Sequence, residues 1–189
     1  MKRITAFCGS NPGARPEYAQ AADALARAIV RRGLTLVYGG GSVGLMGRLA
    51  DGVLRAGGAV IGVIPSALRD KEIAHAGLTE MRVVGSMHER KEVMTELGDA
   101  FIALPGGFGT LDELAEALTW AQLGLHSKPC GVLEVAGFFA PLLEYLDRAT
   151  DEGFLQPVHR AMVLVDRDPE VLIDRLATFR VPAVARWVS

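Results

Sequence analysis

Ala100-Phe101-Ile102-Ala103-Leu104-Pro105-Gly106-Gly107-Phe108-Gly109-Thr110-Leu111-Asp112-Glu113 is an apolar run that ends at a proline, crosses a glycine cluster and opens a helix to about Leu123. A short apolar run bounded by turn residues reads as a buried strand, and the residues after the glycines have helical spacing. The same succession occurs upstream. Leu34–Tyr38 runs into Gly39-Gly40-Gly41-Ser42-Val43-Gly44-Leu45-Met46-Gly47, and a helix continues through Leu49, Val53 and Leu54 to Gly57-Gly58. Outward from these two units the alternation continues. Ile4–Cys8 is a strand; Tyr18 to Val30 is a helix stopped by Gly33; Ala59–Ile64 is a strand ended by Pro65. The polar stretch from Ser66 to Glu80 reads as a loop. Met81–Val84, a helix from Met87 to Leu97, Cys130–Glu134, a helix near Phe139–Thr150, Val163–Val165 and a helix over Pro169–Thr178 complete the order. Strands apolar on both faces, alternating with helices, predict an α/β fold: an open parallel sheet with helices on both faces, in three layers. Ligands of such sheets bind outside the carboxyl ends of the strands, where both glycine clusters fall.

Length and composition fit that architecture. At about 150 residues per domain, 189 residues favour one domain, and no repeat or linker divides residues 1–189. Half of the residues are hydrophobic and 22% are charged, a globular balance. The 20 Lys and Arg against 22 Asp and Glu give a net charge of −2. That is too even for an electrostatic grip on nucleic acid or on an anionic membrane. Cys8 and Cys130 cannot make a disulfide framework. Neither a signal peptide nor a membrane span is legible, so a soluble cytoplasmic protein is expected. Glycine alone is out of proportion: 22 of 189 residues, about 12% against a usual ~7%.

Gly39, Gly41 and Gly44 satisfy G-x-G-x-x-G between a strand and a helix, which raises a dinucleotide-binding oxidoreductase. Two features oppose it. The motif comes after the second strand, and the acidic residue needed about 20 positions on is replaced by Ile61-Gly62-Val63-Ile64-Pro65-Ser66. A Walker loop fails as well, because Leu45-Met46 stands where Lys-Ser/Thr is required. Tight packing of helix on sheet is the competing use of these glycines.

The second cluster offers consecutive backbone N–H groups in front of a helix dipole, an anion cradle suited to phosphate. Thr110-x-x-Glu113 also reads as a capping box, a purely structural use. Ser86-x-x-Glu89 is another, and it places Arg90 and Lys91 near a helix N-terminus, where cations oppose the dipole by about 0.3–1 kcal/mol each. An anion in front of both would reverse that sign. His88 reads as a surface residue. His75, His126 and His159 have no metal-ligand spacing with each other or with the cysteines, and no G-x-S-x-G elbow occurs.

At Pro105 to Glu113 the chain reads P-G-G-x-G-T-x-x-E, and it resembles the Lonely Guy family of cytokinin riboside 5′-monophosphate phosphoribohydrolases, many once labelled lysine decarboxylases. Cys8-Gly9-Ser10, Tyr38 to Gly47, Met87-His88-Glu89-Arg90-Lys91 and Thr119-Trp120-Ala121-Gln122-Leu123-Gly124 are similar to family segments, so the likeness spans nearly the whole chain. The resemblance implies a Rossmann-like sheet, a homodimer, and hydrolysis of the N-glycosidic bond of a nucleoside 5′-monophosphate without metal or cofactor. It implies catalytic roles for Arg90 and Glu113. It implies substrate contacts from Glu72, Arg90, Lys91, Thr119 and the loop Gly107, Phe108, Gly109, Thr110, Leu111, Asp112 and Glu113. Glu89 departs from the glutamine frequent in plant members. Nothing marks a lysine for pyridoxal phosphate. Cleaving the base from the ribose builds positive charge at C1′, which a carboxylate at Glu113 would favour while orienting water. Arg90 stays protonated and would clamp rather than donate a proton. A non-catalytic nucleotide-binding or sensing module is the alternative use of the same loops.

Overall fold

The computed structural model describes residues 1–69 and 74–182. In chain order its elements are β1 (Arg3–Phe7), α1 (Pro16–Arg31), β2 (Thr35–Tyr38), α2 (Gly44–Arg55), β3 (Val60–Pro65), α3 (Ser66–Arg69), β4 (Glu80–Val84) and α4 (Met87–Leu97). Next come β5 (Ala100–Ala103), α5 (Phe108–Gln122), β6 (Cys130–Leu133), α6 (Ala140–Asp151), α7 (Pro157–Arg160), β7 (Val163–Asp166) and α8 (Pro169–Thr178). All seven strands lie parallel in one sheet of order β4-β3-β2-β1-β5-β6-β7.

Period-two alternation along the strands builds two cores. Ile4, Ala6 and Cys8 with Ala100, Ile102 and Leu104 face α1, α2 and α8, where Leu25, Leu49 and Leu172 pack against them. Phe7 with Phe101 and Ala103 faces the other way, against Met94 of α4, Leu114 of α5 and Phe139 before α6. The sheet is thus the middle of three layers. Its edge departs from the expectation of strands apolar on both faces: in β4 only Val84 is buried, because no further strand covers that side.

Strand order reverses at β1, which lies between β2 and β5. Loops leaving the carboxyl ends of β1 and β5 therefore diverge and leave a crevice. A hydrogen bond from Gly9 N to the Pro105 carbonyl, 3.0 Å, ties the two loops at its floor. Gly44 seals the side: its φ is +61°, and a Cβ there would run into the Ser10 carbonyl.

Several boundaries differ from the sequence reading. The stretch expected to be loop from Ser66 holds the single turn of α3, and Ala74 bridges to Gly41. The short helix α7 has no counterpart in the sequence pattern, four residues being too few for a periodic signal. No helix among the described residues is long and apolar enough to cross a membrane.

Candidate active site

Helix α4 begins where Ser86 Oγ accepts from Glu89 N at 3.1 Å, while Glu89 Oε2 accepts from Gly85 N at 2.6 Å. Ser86 caps the helix as the sequence announces, but Glu89 reaches one residue beyond a strict capping box, to Gly85 N rather than Ser86 N, and is still occupied structurally. His88 is exposed on the same turn. Arg90, two positions beyond it, turns inward and is 5% exposed. Its Nη2 donates to the Gly39 carbonyl at 3.3 Å, and Nη1 lies 3.7 Å from Met87 Sδ. Nη2 also lies 3.9 Å from the Glu113 carboxylate, whose side chain is 11% exposed. Among the described residues, the Nε of this buried guanidinium has no hydrogen-bond partner.

Helix α5 starts three residues earlier than its sequence suggests. Its N-cap is Gly107, no side chain caps it, and Leu111 N already donates to the Gly107 carbonyl at 3.1 Å. Thr110 is therefore inside the first turn and buried, packed against Gly106, where a Cβ would meet its hydroxyl. The expected Thr110–Glu113 capping box does not exist. A box needs its first residue at the cap, and the close approach at Gly106 lets the helix begin before Thr110 reaches that position. There remains a helix end whose first-turn N–H groups, at Phe108, Gly109 and Thr110, have no intrahelical partner and, among the described residues, no side-chain cap. Such an end carries about half a positive charge and takes anions.

These pieces enclose a pocket of about 220 Å³ lined by Cys8, Ser10, Met46, Met87, Arg90, Glu113 and the backbone from Gly107 to Thr110. Burial first, and then the neighbouring Glu113 charge, push the Cys8 thiol well above its ordinary value. It lines the pocket as a neutral group, without thiolate reactivity.

Lys91 stands just outside. Its ammonium lies 3.1 Å from Asp112 and 3.0 Å from Glu116. Burial alone would lower its proton affinity, but the hydrogen bonds to those two carboxylates outweigh burial and hold it above the ordinary lysine value. The negative charge expected in front of Arg90 and Lys91 is thus supplied in part by the protein itself, at Glu113, Asp112 and Glu116.

Arg90, Glu113 and the first turn of α5 are brought together in this pocket. Thr119 is not. Its hydroxyl donates to Ala115 O at 2.7 Å, and it lines a separate groove of about 530 Å³ with Leu111, Leu118, Tyr145 and His159. Glu72, the other expected contact, lies outside the described residues. Cys8, Met46 and Met87 in the wall escape a reading of the sequence, since an apolar residue beside a site has no pattern separating it from core. Among the described residues, no group of three or more His, Cys, Asp or Glu side chains could hold a metal ion.

Comparison with known proteins gives one family. Residues 46–176 match the family model described as possible lysine decarboxylase. The cytokinin riboside 5′-monophosphate phosphoribohydrolase of Rhodococcoides fascians is 53% identical over 170 residues, covering 89% of this chain and 86% of that one. A protein of the same name from Arabidopsis thaliana is 47% identical over 192 residues, covering 99% and 84%. Among solved structures, the molybdenum cofactor binding protein of Rippkaea orientalis superposes with a TM-score of 0.71 at 25% identity, over 94% of this chain and 97% of that one.

Proposed function

The chain belongs to the Lonely Guy family of cytokinin riboside 5′-monophosphate phosphoribohydrolases, and we propose that it hydrolyses the N-glycosidic bond of a purine nucleoside 5′-monophosphate. The substrate is adenosine 5′-monophosphate or an N6-modified relative, and the products are free base and ribose 5-phosphate. One observation carries this reading: the Glu113 carboxylate lies 3.9 Å from the buried Arg90, five residues and roughly 7.5 Å of axis beyond an uncapped helix N-terminus. A phosphate on the N–H groups of Phe108, Gly109 and Thr110 would hold the nucleotide by a group remote from the reacting bond. That binding energy then positions the sugar.

As the C1′–N9 bond lengthens, positive charge grows on the ribose and the Glu113 carboxylate faces it. Glu113 takes a proton from the attacking water, whose oxygen bonds to C1′. The base leaves with the electron pair of the broken bond, and the proton passes on to its ring nitrogen. Arg90 cannot exchange protons at neutral pH. It holds Glu113 through its Nη2, and its unpartnered Nε–H is available to a substrate hydroxyl. Lys91, held by Asp112 and Glu116, anchors the start of α4 to α5 and keeps Arg90 and Glu113 in register.

One cytoplasmic domain, paired as a homodimer, completes the reading. Leu123, Leu125, Tyr145 and Phe154 are exposed apolar side chains that a second copy would cover. Thr119, which faces the separate groove, would then contact substrate in the partner's site. Light scattering on the purified protein tests the pairing, and a monomer would remove Thr119 from the substrate contacts. The activity itself is tested by incubating the protein with AMP and resolving adenine by chromatography. Stoichiometric adenine and ribose 5-phosphate are expected; saturable AMP binding with no release of base would leave a nucleotide-binding module instead.

A further inference from the structure

The glycine run after β2 presents Gly39 directly to Arg90. A Cβ built on Gly39 would overlap the Arg90 guanidinium at Nη2 and stand 3.0 Å from its Cζ and 3.5 Å from its Nε. The three nearest atoms thus all belong to one side chain. Gly39 is not among the residues with positive φ, so its backbone is open to any L-residue and only the space is restricted. At the same residue, the carbonyl accepts from Nη2 at 3.3 Å.

From this we infer that Gly39 is the positioning residue of Arg90: its missing side chain and its carbonyl together form the seat that fixes the guanidinium against Glu113. The inference rests on the catalytic reading of Arg90 for its effect on turnover, but not for its effect on stability. It also gives the first glycine of G-x-G-x-x-G a use unlike dinucleotide binding. The space in front of Gly39 is filled by a side chain of the same protein, 51 positions away. Arg90 is 5% exposed and packed on Met87, so a methyl group at position 39 cannot be absorbed by swinging the guanidinium into solvent. It must shift within the pocket, and the 3.9 Å Arg90–Glu113 geometry changes with it. Displacing a catalytic group by about 1 Å costs roughly 10²-fold in rate.

A double-mutant cycle tests the seat. Gly39→Ala alone is expected to lower kcat for AMP about 10²-fold and to lower the thermal midpoint. Placed on Arg90→Ala, where the colliding atoms are gone, the same change should leave both the residual turnover and the midpoint where Arg90→Ala put them. If Arg90→Ala does not fold, Arg90→Leu carries the cycle, because leucine ends short of the guanidinium position. A midpoint loss from Gly39→Ala that is confined to the Arg90 background upholds the seat, even if Arg90→Ala were to retain full turnover; that second result overturns the catalytic role of Arg90 instead. An equal loss from Gly39→Ala in both backgrounds, or near-normal turnover and stability of Gly39→Ala alone, overturns the seat.

Discussion

At the start of α4, Ser86 and Glu89 satisfy backbone N–H groups with their own oxygens. At the start of α5, Gly107 brings no side chain, and the first turn is left without a cap. Both helices open beside the same pocket and pack on the same face of the sheet, although α4 follows the edge strand β4 while α5 follows β5 beside the crevice. The closed end serves the fold: it fixes where Arg90 emerges. The open end has donors to spare, and a protein that leaves them uncapped beside a buried Arg–Glu pair gives up about 1 kcal/mol of capping stability that a ligand can restore. Two adjacent helix ends thus divide the labour between holding the site and filling it.

The largest effect that could break this division concerns the phosphate. If the first turn of α5 holds it, adenosine should have a kcat/KM at least ~10³-fold below that of AMP. Each lost charge-assisted contact of about 1.5–3 kcal/mol is worth roughly ten- to hundredfold, and three N–H groups are involved. Equal efficiency on nucleoside and nucleotide, measured by base release, would leave the open end without a ligand.

Next comes Glu113→Gln, which keeps the shape of the side chain and removes its charge. Since Glu113 takes part in no capping box, a folded variant that still binds AMP, with kcat reduced about 10²-fold or more, is expected. Steady-state kinetics beside an AMP titration checks it, and unchanged kcat would move the reaction to another carboxylate.

Gly107→Asp would sharpen the comparison by giving α5 the kind of cap α4 has. A Cβ at Gly107 meets nothing within 4 Å, so the change is sterically open. The added carboxylate should stabilise the helix end by roughly 0.5–1 kcal/mol while competing with phosphate, and KM for AMP should rise about tenfold. A more stable protein that binds AMP more weakly is the expected pair of results from melting and kinetics; unchanged KM would put the phosphate elsewhere.

The smallest effect belongs to the closed end. Ser86→Ala should cost about 1 kcal/mol in denaturant unfolding and change kcat/KM less than about twofold. A loss of activity larger than the loss of stability would mean that this end, too, takes part in binding.

Much of the molecule is written locally. Helix α4 runs from Met87 to Leu97 and α8 from Pro169 to Thr178 as the spacing predicts, because each carries a side-chain cap, Ser86 or Asp168, at its first turn. The strands are legible from apolar runs broken by glycine and proline, and P-G-G-x-G-T-x-x-E marks the loop that opens α5 beside the pocket. Neither the start of α5 at Phe108 nor the role of Gly39 can be read this way. Thr110-x-x-Glu113 and Ser86-x-x-Glu89 are the same pattern in the chain, and only the contact between Gly106 and Thr110 turns one of them into an open helix end. Likewise, the strand order β4-β3-β2-β1-β5-β6-β7 brings the ends of β1, β2 and β5 together, so that Gly39, Arg90 and Glu113 meet. Periodicity and capping report on neighbours within a few residues, so the sequence determined the elements and the chemical groups. Which groups face one another is a matter of packing between segments far apart in the chain, and that only the tertiary structure decided.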